Sequence, residues 1–416
     1  VAERRALASD TPAALAAWTR ALVPGAGTVT DDVAAIVARV RDGGDAALEA
    51  AVREFDTPAG VEPLPIAVAE AELHDALASL EGEVRHGLGV AIENVHAVAL
   101  AGVGSDQDVT LPQGHRVRLR EIPVHRAAVY VPGGRAPYPS TVVMGVVTAR
   151  AAGVEEVVVC APGAHPVILA ACALCGADRV YRMGGAHAVA ALAYGTETID
   201  RVDVIAGPGN LWVQEAKRQV SGDVGIDGFY GPSDVLVVAT AGAKAALVAA
   251  DLLAQAEHGT DSLAVCVSPD PALLDAIAPL VGGAIGPVAL LDVPDTEAAL
   301  AVAEAFAPEH LELQGEEGEA LAPRVRNAGC VFVGDAGGTA FGDYVAGSNH
   351  SLPTGGAARY ASGLTARAFR RRMSEVHIGD AATALAAAGV PIAGAEGFAL
   401  HAASMEARVR LNQESR

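Results

Sequence analysis

A chain of 416 residues that is 51% hydrophobic and 19% charged has material for about two to three folded cores. Its 29 Lys and Arg stand against 50 Asp and Glu, and the resulting net charge of −21 repels nucleic acid and anionic membrane surfaces. Aromatics at 4% argue against stacking on bases, and no run of about 18 apolar residues is available to cross a membrane.

In chain order, VAERRALASDTPAALAAWTR (1–20) reads as a short helix, the body of an N-terminal helical arm over 1–22. Its start lacks the apolar segment of a signal peptide, so none is expected. Residues 30–101 read as helical, with an apolar period near 3.6 and a Gly-Gly break. After about residue 120 the pattern changes. RAAVYVPGG is a strand running into glycines, STVVMGVVTARAAG a helix stopping at Gly153, VEEVVVCAPG a strand, and HPVILAACALCG a helix stopping at Gly176. DRVYRMGG, AHAVAALAYG, VDVIAGPGN and LWVQEAKRQV continue the alternation. A second series begins at DVLVVAT (234–240). It runs through a helix 242–258, SLAVCVS, a helix near 271–284, PVALLDV, a helix near 296–306, LELQ, a helix near 316–327 and CVFVG.

Apolar strands alternating with helices predict parallel sheets covered on both faces. The expected fold class is therefore α/β: two doubly wound, Rossmann-like domains, without the G-x-G-x-x-G fingerprint, and with short helical appendages at both ends. Ligands in such sheets are expected beyond the carboxyl ends of the strands. A loop over 335–364, rich in Gly, Ser and Asn, has the length of a functional segment. Residues 366–416 read as a helical tail.

The five cysteines, Cys160, Cys172, Cys175, Cys266 and Cys330, lie mostly in apolar runs. They read as reduced and buried, in a cytosolic setting. Cys172-Ala-Leu-Cys175 reads as core packing rather than a redox or zinc pair.

The polar residues that interrupt this pattern are the chemical candidates. QAEHG closes the helix 242–258, and on a helix Gln255 and His258 share a face, offset by about 4.5 Å. They are half of a metal site or a polar helix end. The glycine-rich strand ends VPGGRAPYPS, RMGGAHAV and AGPGNLWV each lead into a helix N-terminus, which favours anions; together they favour a nucleotide or anion site. In APEHLEL, Glu309 and His310 sit at a helix–strand junction, as an acid/base pair or a solvated turn. Asp343 and His350 lie in the long loop, where Asp343 is a metal ligand or a turn residue. EGFALH places Glu396 and His401 in the tail. Gln255, His258, Asp343 and His401 would supply two nitrogens and two oxygens, a set that zinc accepts. Spacing alone does not make them converge.

QAEHG, APEHLELQ, GDYVAGSNHSLPTGG and EGFALH occur in an order and spacing that resembles the histidinol dehydrogenases, as do YVPGG, GGAHAVAALAYGTETI, GPGNLWVQEAKRQV and GPSDVLVVA. The resemblance covers roughly residues 20 to 410. It implies a zinc-dependent enzyme that oxidises L-histidinol to L-histidine with NAD used twice, through an aldehyde that stays bound. It implies zinc on Gln255, His258, Asp343 and His401, with Glu309 and His310 as the acid/base pair. The substrate pocket would comprise Ser233, Gln255, His258, His310, Asp343, His350, Glu396 and His401, and the NAD contacts Tyr130, His187 and Asn210. The implied domain plan has residues 23–121 with 235–365 as the zinc-bearing α/β domain and 122–234 as an inserted NAD domain. The tail, 366–416, would cross to a second subunit, so that Glu396 and His401 complete the partner's site in a cytoplasmic homodimer.

One departure is visible. The family usually reads G-G-A-Q-A, with the glutamine on NAD, where this chain has Gly184-Gly-Ala-His187-Ala. None of the cysteines has the polar setting of a thiohemiacetal nucleophile, which favours water activated by Glu309 for the second oxidation. The close rival is a paralogue acting on another amino alcohol or a sulfonated polyol. A sulfonate calls for added basic residues, and Arg359 and Arg367 are nearby in sequence, whereas Glu396 suits a cationic amine. More distant rivals are a zinc hydrolase with Glu309 as base and a non-catalytic zinc module.

Overall fold

The computed structural model describes residues 2–7, 11–23, 28–133, 136–228 and 231–414. Gly134 of the YVPGG turn and residues 8–10 of the N-terminal arm lie outside the described residues. The chain opens with β1 (Glu3–Ala6), α1 (Pro12–Arg20), α2 (Thr30–Ala51), α3 (Glu70–Ala78), α4 (Gly82–Ala101), β2 (Gln107–Thr110) and β3 (Arg116–Pro123). The first alternating series is β4 (Arg126–Tyr130), α5 (Pro139–Val142), α6 (Thr148–Ala151), β5 (Glu156–Cys160), α7 (Pro166–Cys175), β6 (Arg179–Tyr181), α8 (Gly185–Tyr194), β7 (Val204–Ala206), α9 (Leu211–Val220) and β8 (Gly225–Ile226). The second is β9 (Asp234–Ala239), α10 (Ala245–Ala256), β10 (Leu263–Ser268), α11 (Pro271–Ile277), β11 (Val288–Asp292), α12 (Thr296–Phe306), β12 (His310–Gln314), α13 (Glu316–Glu319) and β13 (Cys330–Val333). After them come α14 (Thr339–Tyr344), β14 (Arg370–His377), α15 (Ala382–Ala395) and α16 (Ala399–Glu414).

The chain divides into two compact units. The larger, residues 1–102 with 124–369, holds both parallel sheets. One has five strands in the order β6-β5-β4-β7-β8, and the other six in the order β1-β11-β10-β9-β12-β13. Each series begins near the middle of its sheet, moves outward on one side, then crosses back to the other. The reversal falls between β4 and β7 in one sheet and between β9 and β12 in the other.

Alternation along the strands builds a core on each face. In β9, Leu236 and Val238 pack with Leu15, Phe306, Leu311 and Leu313, whereas Val235 and Val237 pack with Val248, Leu252 and Leu274 on the opposite side. Each such buried side chain contributes about 1.5–3 kcal/mol. In the five-stranded sheet, Ala128, Val158 and Ile205 pack against Val37, Leu48, Val189 and Leu192 from α2 and α8. A π turn, Val143–Val147, joins α5 to α6, and its Gly145 lies where any Cβ would collide with Val129 of β4.

Several local expectations change. Residues 3–6 are a strand, not helix, because pairing with β11 satisfies the backbone groups of an otherwise open sheet edge. The helix expected near 271–284 ends at Ile277. The one near 316–327 is reduced to α13 and a single turn, Ala322–Arg324, that contains Pro323. The long loop 335–364 carries α14. The Gly-Gly break is a kink inside α2, with Gly44 at φ 53°.

The smaller unit comprises residues 103–123 and 370–416. Its antiparallel sheet, β14-β3-β2, replaces helix in the part of the tail over 370–377. That strand, RRRMSEVH, is polar and carries no apolar alternation to announce it. Cross-strand charge pairs hold it: Arg120 with Glu375 at 3.6 Å, and Arg372 with Glu121. α15 and α16 pack on each other, with Gly389 leaving room for Met405.

Candidate active site

β9 and β12 lie side by side, with His310 opposite Val235. This brings the first residues of both strands together. The Glu309 N–H donates to Asp234 Oδ1 at 2.7 Å, and the Asp234 N–H donates to Glu309 Oε2 at 3.1 Å. His310 Nδ1 lies 3.2 Å from the Asp234 carbonyl oxygen. Asp234 is itself held by Arg20 of α1 at 3.1 Å, and the same guanidinium donates to the Phe306 carbonyl at the end of α12. Ala307 turns the chain there in a left-handed conformation, φ 49°, and delivers Glu309 and His310 to the start of β12. The two are buried, not solvated.

α10 runs back along the sheet and ends at the same edge. Gln255, in its last turn, donates from Nε2 to Ser233 Oγ at 3.0 Å. His258 stands just past the helix end, its backbone N–H donating to the Gln255 carbonyl at 3.2 Å. From the other side α14 brings Asp343, whose Oδ1 is 3.6 Å from His310 Nε2. His350 Nδ1 pairs with the Asp343 carbonyl oxygen at 3.0 Å, and its Nε2 with Thr141 Oγ1 at 3.2 Å. Asn349 donates to the Met144 carbonyl at 3.0 Å. Thr141 and Met144 follow β4, so these contacts join the amino edge of the six-stranded sheet to the carboxyl edge of the five-stranded one. Ser233, Gln255, His258, Glu309, His310, Asp343 and His350 thus share one region. It lies at the amino ends of β9 and β12, not beyond the carboxyl ends where ligands were expected in both sheets.

The electrostatics are those of crowded, buried charge. Burial pushes Glu309 up to about 7, with His310 opposing and Asp234 reinforcing the shift. Burial alone would lower His310, but the carboxylates of Glu309 and Asp343 outweigh it and raise His310 to about 9. Burial also acts to raise Asp343, and the imidazoles of His310, His350 and His258 bring it net below the ordinary value. His350 is lowered, chiefly by burial.

The donor chemistry suits zinc in part. His258 and Asp343 are nitrogen and oxygen ligands of the right kind, and Gln255 can offer its amide oxygen while its nitrogen binds Ser233. Among the described residues, no group of three or more His, Cys, Asp and Glu side chains is assembled as a metal cage. Glu396 caps the end of α15 and His401 lies on α16, its ring 5.2 Å from that of Phe398; both are exposed and belong to the smaller unit. Arg359 donates to the Gly356 carbonyl of its own turn.

The dinucleotide candidates lie at the carboxyl ends of β4, β6 and β7. Tyr130 OH accepts from the Gly185 N–H at 3.0 Å. His187 Nε2 is 2.8 Å from Asp56 Oδ2, which also accepts from the Gly184 N–H at 2.8 Å, and Phe55 stacks on the His187 ring. Asn210 caps α9 by accepting from the Val213 N–H at 3.2 Å. A buried pair, Lys217 and Asp227, fixes the glycine loop between β7 and α9: Gly207 N–H donates to Asp227 and its carbonyl accepts from Lys217. Gly207 has φ 122°, and a Cβ there would strike the Tyr130 carbonyl oxygen.

Sequence reading missed Asp56, Arg20, Asp234, Thr141, Lys217 and Asp227. Asp234 directly follows the Gly-Pro-Ser turn that carries Ser233, a usable signal; the others have no local one. The five cysteines are free thiols, and burial raises each above the ordinary thiol range, so none is a ready thiolate.

The family model for histidinol dehydrogenase matches residues 24–409. A histidinol dehydrogenase of Halobacterium salinarum is 42% identical over 403 residues, covering 92% of this chain and 94% of the relative. That of Parasynechococcus marenigrum is 41% identical over 396 residues, covering 90% of each. The crystal structure of histidinol dehydrogenase from Elizabethkingia anophelis superposes with a TM-score of 0.91 at 28% identity and covers 99% of both chains. Sequence and fold agree along nearly the whole length: this chain belongs to the histidinol dehydrogenase family.

Proposed function

We propose that this chain oxidises L-histidinol to L-histidine, using NAD twice and a zinc ion. The observation that carries the reading is the buried Glu309–His310–Asp343 cluster at an edge that also holds Gln255 and His258. It joins an acid/base pair to candidate metal ligands in a family of oxidoreductases. Zinc on Gln255, His258, Asp343 and His401 would act as a Lewis acid that orients the substrate alcohol, with NAD as the hydride acceptor.

The chain's own groups divide the proton work. The Asp234 carbonyl occupies His310 Nδ1, which leaves Nε2 as the working nitrogen. While the Asp343 carboxylate faces that nitrogen, His310 keeps its proton. With a cation held by Asp343, His310 Nε2 would be free to accept the alcohol proton as hydride leaves the carbon for NAD. Glu309, held near neutral pH by burial, takes a proton from the water that adds to the aldehyde. The hydrate anion so formed would pass its hydride to the second NAD and become the carboxylic acid. Tyr130, His187 and Asn210 would contact the dinucleotide at the carboxyl edge of the five-stranded sheet, which Thr141 and His350 link to the reacting groups.

The proposed site is completed by a second copy. Glu396 and His401 of a partner would supply a carboxylate for the substrate amine and the fourth zinc ligand. The test is product stoichiometry with limiting L-histidinol, excess NAD and zinc. The reading requires about two NADH and one histidine per histidinol. Absence of NADH, or a stop at one NADH with free aldehyde, would overturn it.

A further inference from the structure

Two residues beyond His310, on the same side of β12, is Glu312, which is 0% exposed. A glutamate so deeply buried needs partners, and the acid/base chemistry above does not use it. Its Oε1 accepts from the Thr339 N–H at 2.8 Å and from Thr339 Oγ1 at 2.7 Å. Its Oε2 accepts from Gln314 Nε2 at 3.0 Å, and that nitrogen also reaches Asp251 Oδ2 at 3.2 Å. Gln314 Nε2 thus bridges the two carboxylates, and burial raises both above the ordinary carboxylate range. Burial and the charge of Asp251 push Glu312 up to about 7, which favours its protonated form near neutral pH.

The partners sit one helical turn from candidate zinc ligands. Asp251 precedes Gln255 by four residues on α10, and Thr339 precedes Asp343 by four on α14. At Gly338 an added Cβ would come within 3.1 Å of Asp251 Oδ1, so α14 starts hard against α10. Three elements, α10, β12 and α14, therefore meet at one carboxylate.

We propose that Glu312 is a positioning residue: through Thr339, Gln314 and Asp251 it fixes the start of α14 against β12 and α10, and so sets where Asp343 stands relative to His310, Gln255 and His258. The inference rests on the reading of Asp343 as a zinc ligand. Glu312→Leu removes the acceptor for Thr339. Glu312→Gln keeps an oxygen for Thr339 and puts an N–H where Gln314 Nε2 donated, which the unpartnered Gln314 Oε1 can accept once that amide turns over.

Two readouts test this on the full chain: zinc affinity by chelator competition, and amide hydrogen exchange over 339–345 in the zinc-free protein. In Glu312→Leu, zinc affinity should fall about 10-fold or more, and exchange at the start of α14 should speed up by a similar factor. Glu312→Gln should stay within about two-fold of native in both. Native behaviour of Glu312→Leu, or equal damage in a folded Glu312→Gln, would overturn the proposal. Should Glu312→Leu not fold, Thr339→Val decides: a loss of about three-fold in zinc affinity supports the proposal, and no loss overturns it. A native chain that binds no zinc refutes the zinc reading, while the exchange experiment still judges the positioning role.

Discussion

The two alternating series enter their sheets in the same order, with the first strand inside and a reversal beside it, and β1 adds a sixth strand to one; yet their candidate functional residues lie at opposite edges. In the five-stranded sheet Tyr130, His187 and Asn210 follow the carboxyl ends of the strands. That edge presents the N-termini of α8 and α9, the positive ends of helix dipoles. The Asp56 carboxylate already sits at the start of α8, hydrogen-bonded to Gly184. In the six-stranded sheet, Glu309, His310, Gln255 and His258 gather at the amino ends, beside the C-termini of α10 and α12. Those are negative ends, and the Arg20 guanidinium sits on the last carbonyls of α12. One architecture thus offers an anion-favouring edge and a cation-favouring edge. The proposed dinucleotide would meet the first, and the proposed metal ion and substrate amine the second.

The largest expected effect breaks the cation-favouring edge. His258→Ala should lose most bound zinc and nearly all histidinol turnover while its thermal unfolding stays close to native, since His258 is outside both sheet cores. Elemental analysis of the purified variant checks this, and full zinc occupancy would remove His258 from the ligand set.

Next comes subunit complementation. If His401 serves a neighbour's site, inactive His401→Ala and His310→Ala chains should restore activity on mixing. With random exchange about half the dimers are mixed and each carries one intact site, so recovery approaches roughly a quarter of native sites. No recovery after verified exchange would place His401 in its own chain's site.

A smaller effect sharpens the other edge. His187 spends its Nε2 on Asp56 and its ring on Phe55. His187→Gln should change KM for NAD by a few-fold and leave bound zinc and kcat near native. A change confined to zinc content would instead couple this position to the opposite edge.

The smallest is a slope. Glu312 is raised in the folded state to about 7 from an ordinary 4.5. The folded chain therefore binds more protons than the unfolded chain between those values, and this contribution to stability falls as pH rises through that window. Thermal melts from pH 5 to 8 should show native protein losing stability relative to Glu312→Gln. Parallel curves would deny Glu312 its proton.

The contrast between the edges also explains what was readable. Strands such as DVLVVA and LAVCVS and the helices between them announce themselves by apolar runs and period, so the two sheets follow from local pattern. Gln255, His258, Glu309 and His310 stood out as polar residues at the ends of apolar stretches. Asp56, Asp251 and Glu312 did not, because their partners are far along the chain and nothing local marks a buried carboxylate. β14 was hidden for a related reason: its strand is held by charges across the sheet rather than by an apolar face. The choice of edge was invisible too, since both series enter their sheets in the same order and only the three-dimensional meeting of β9, β12, α10 and α14 reveals it.

A crystal grown with zinc and NAD tests the division between edges. Zinc should give an anomalous peak contacting Gln255, His258 and Asp343 at the amino edge of the six-stranded sheet, with dinucleotide density beside Tyr130 and Asn210. Zinc bound away from those three residues, or the dinucleotide seated on the carboxyl ends of β9 and β12, would contradict that division.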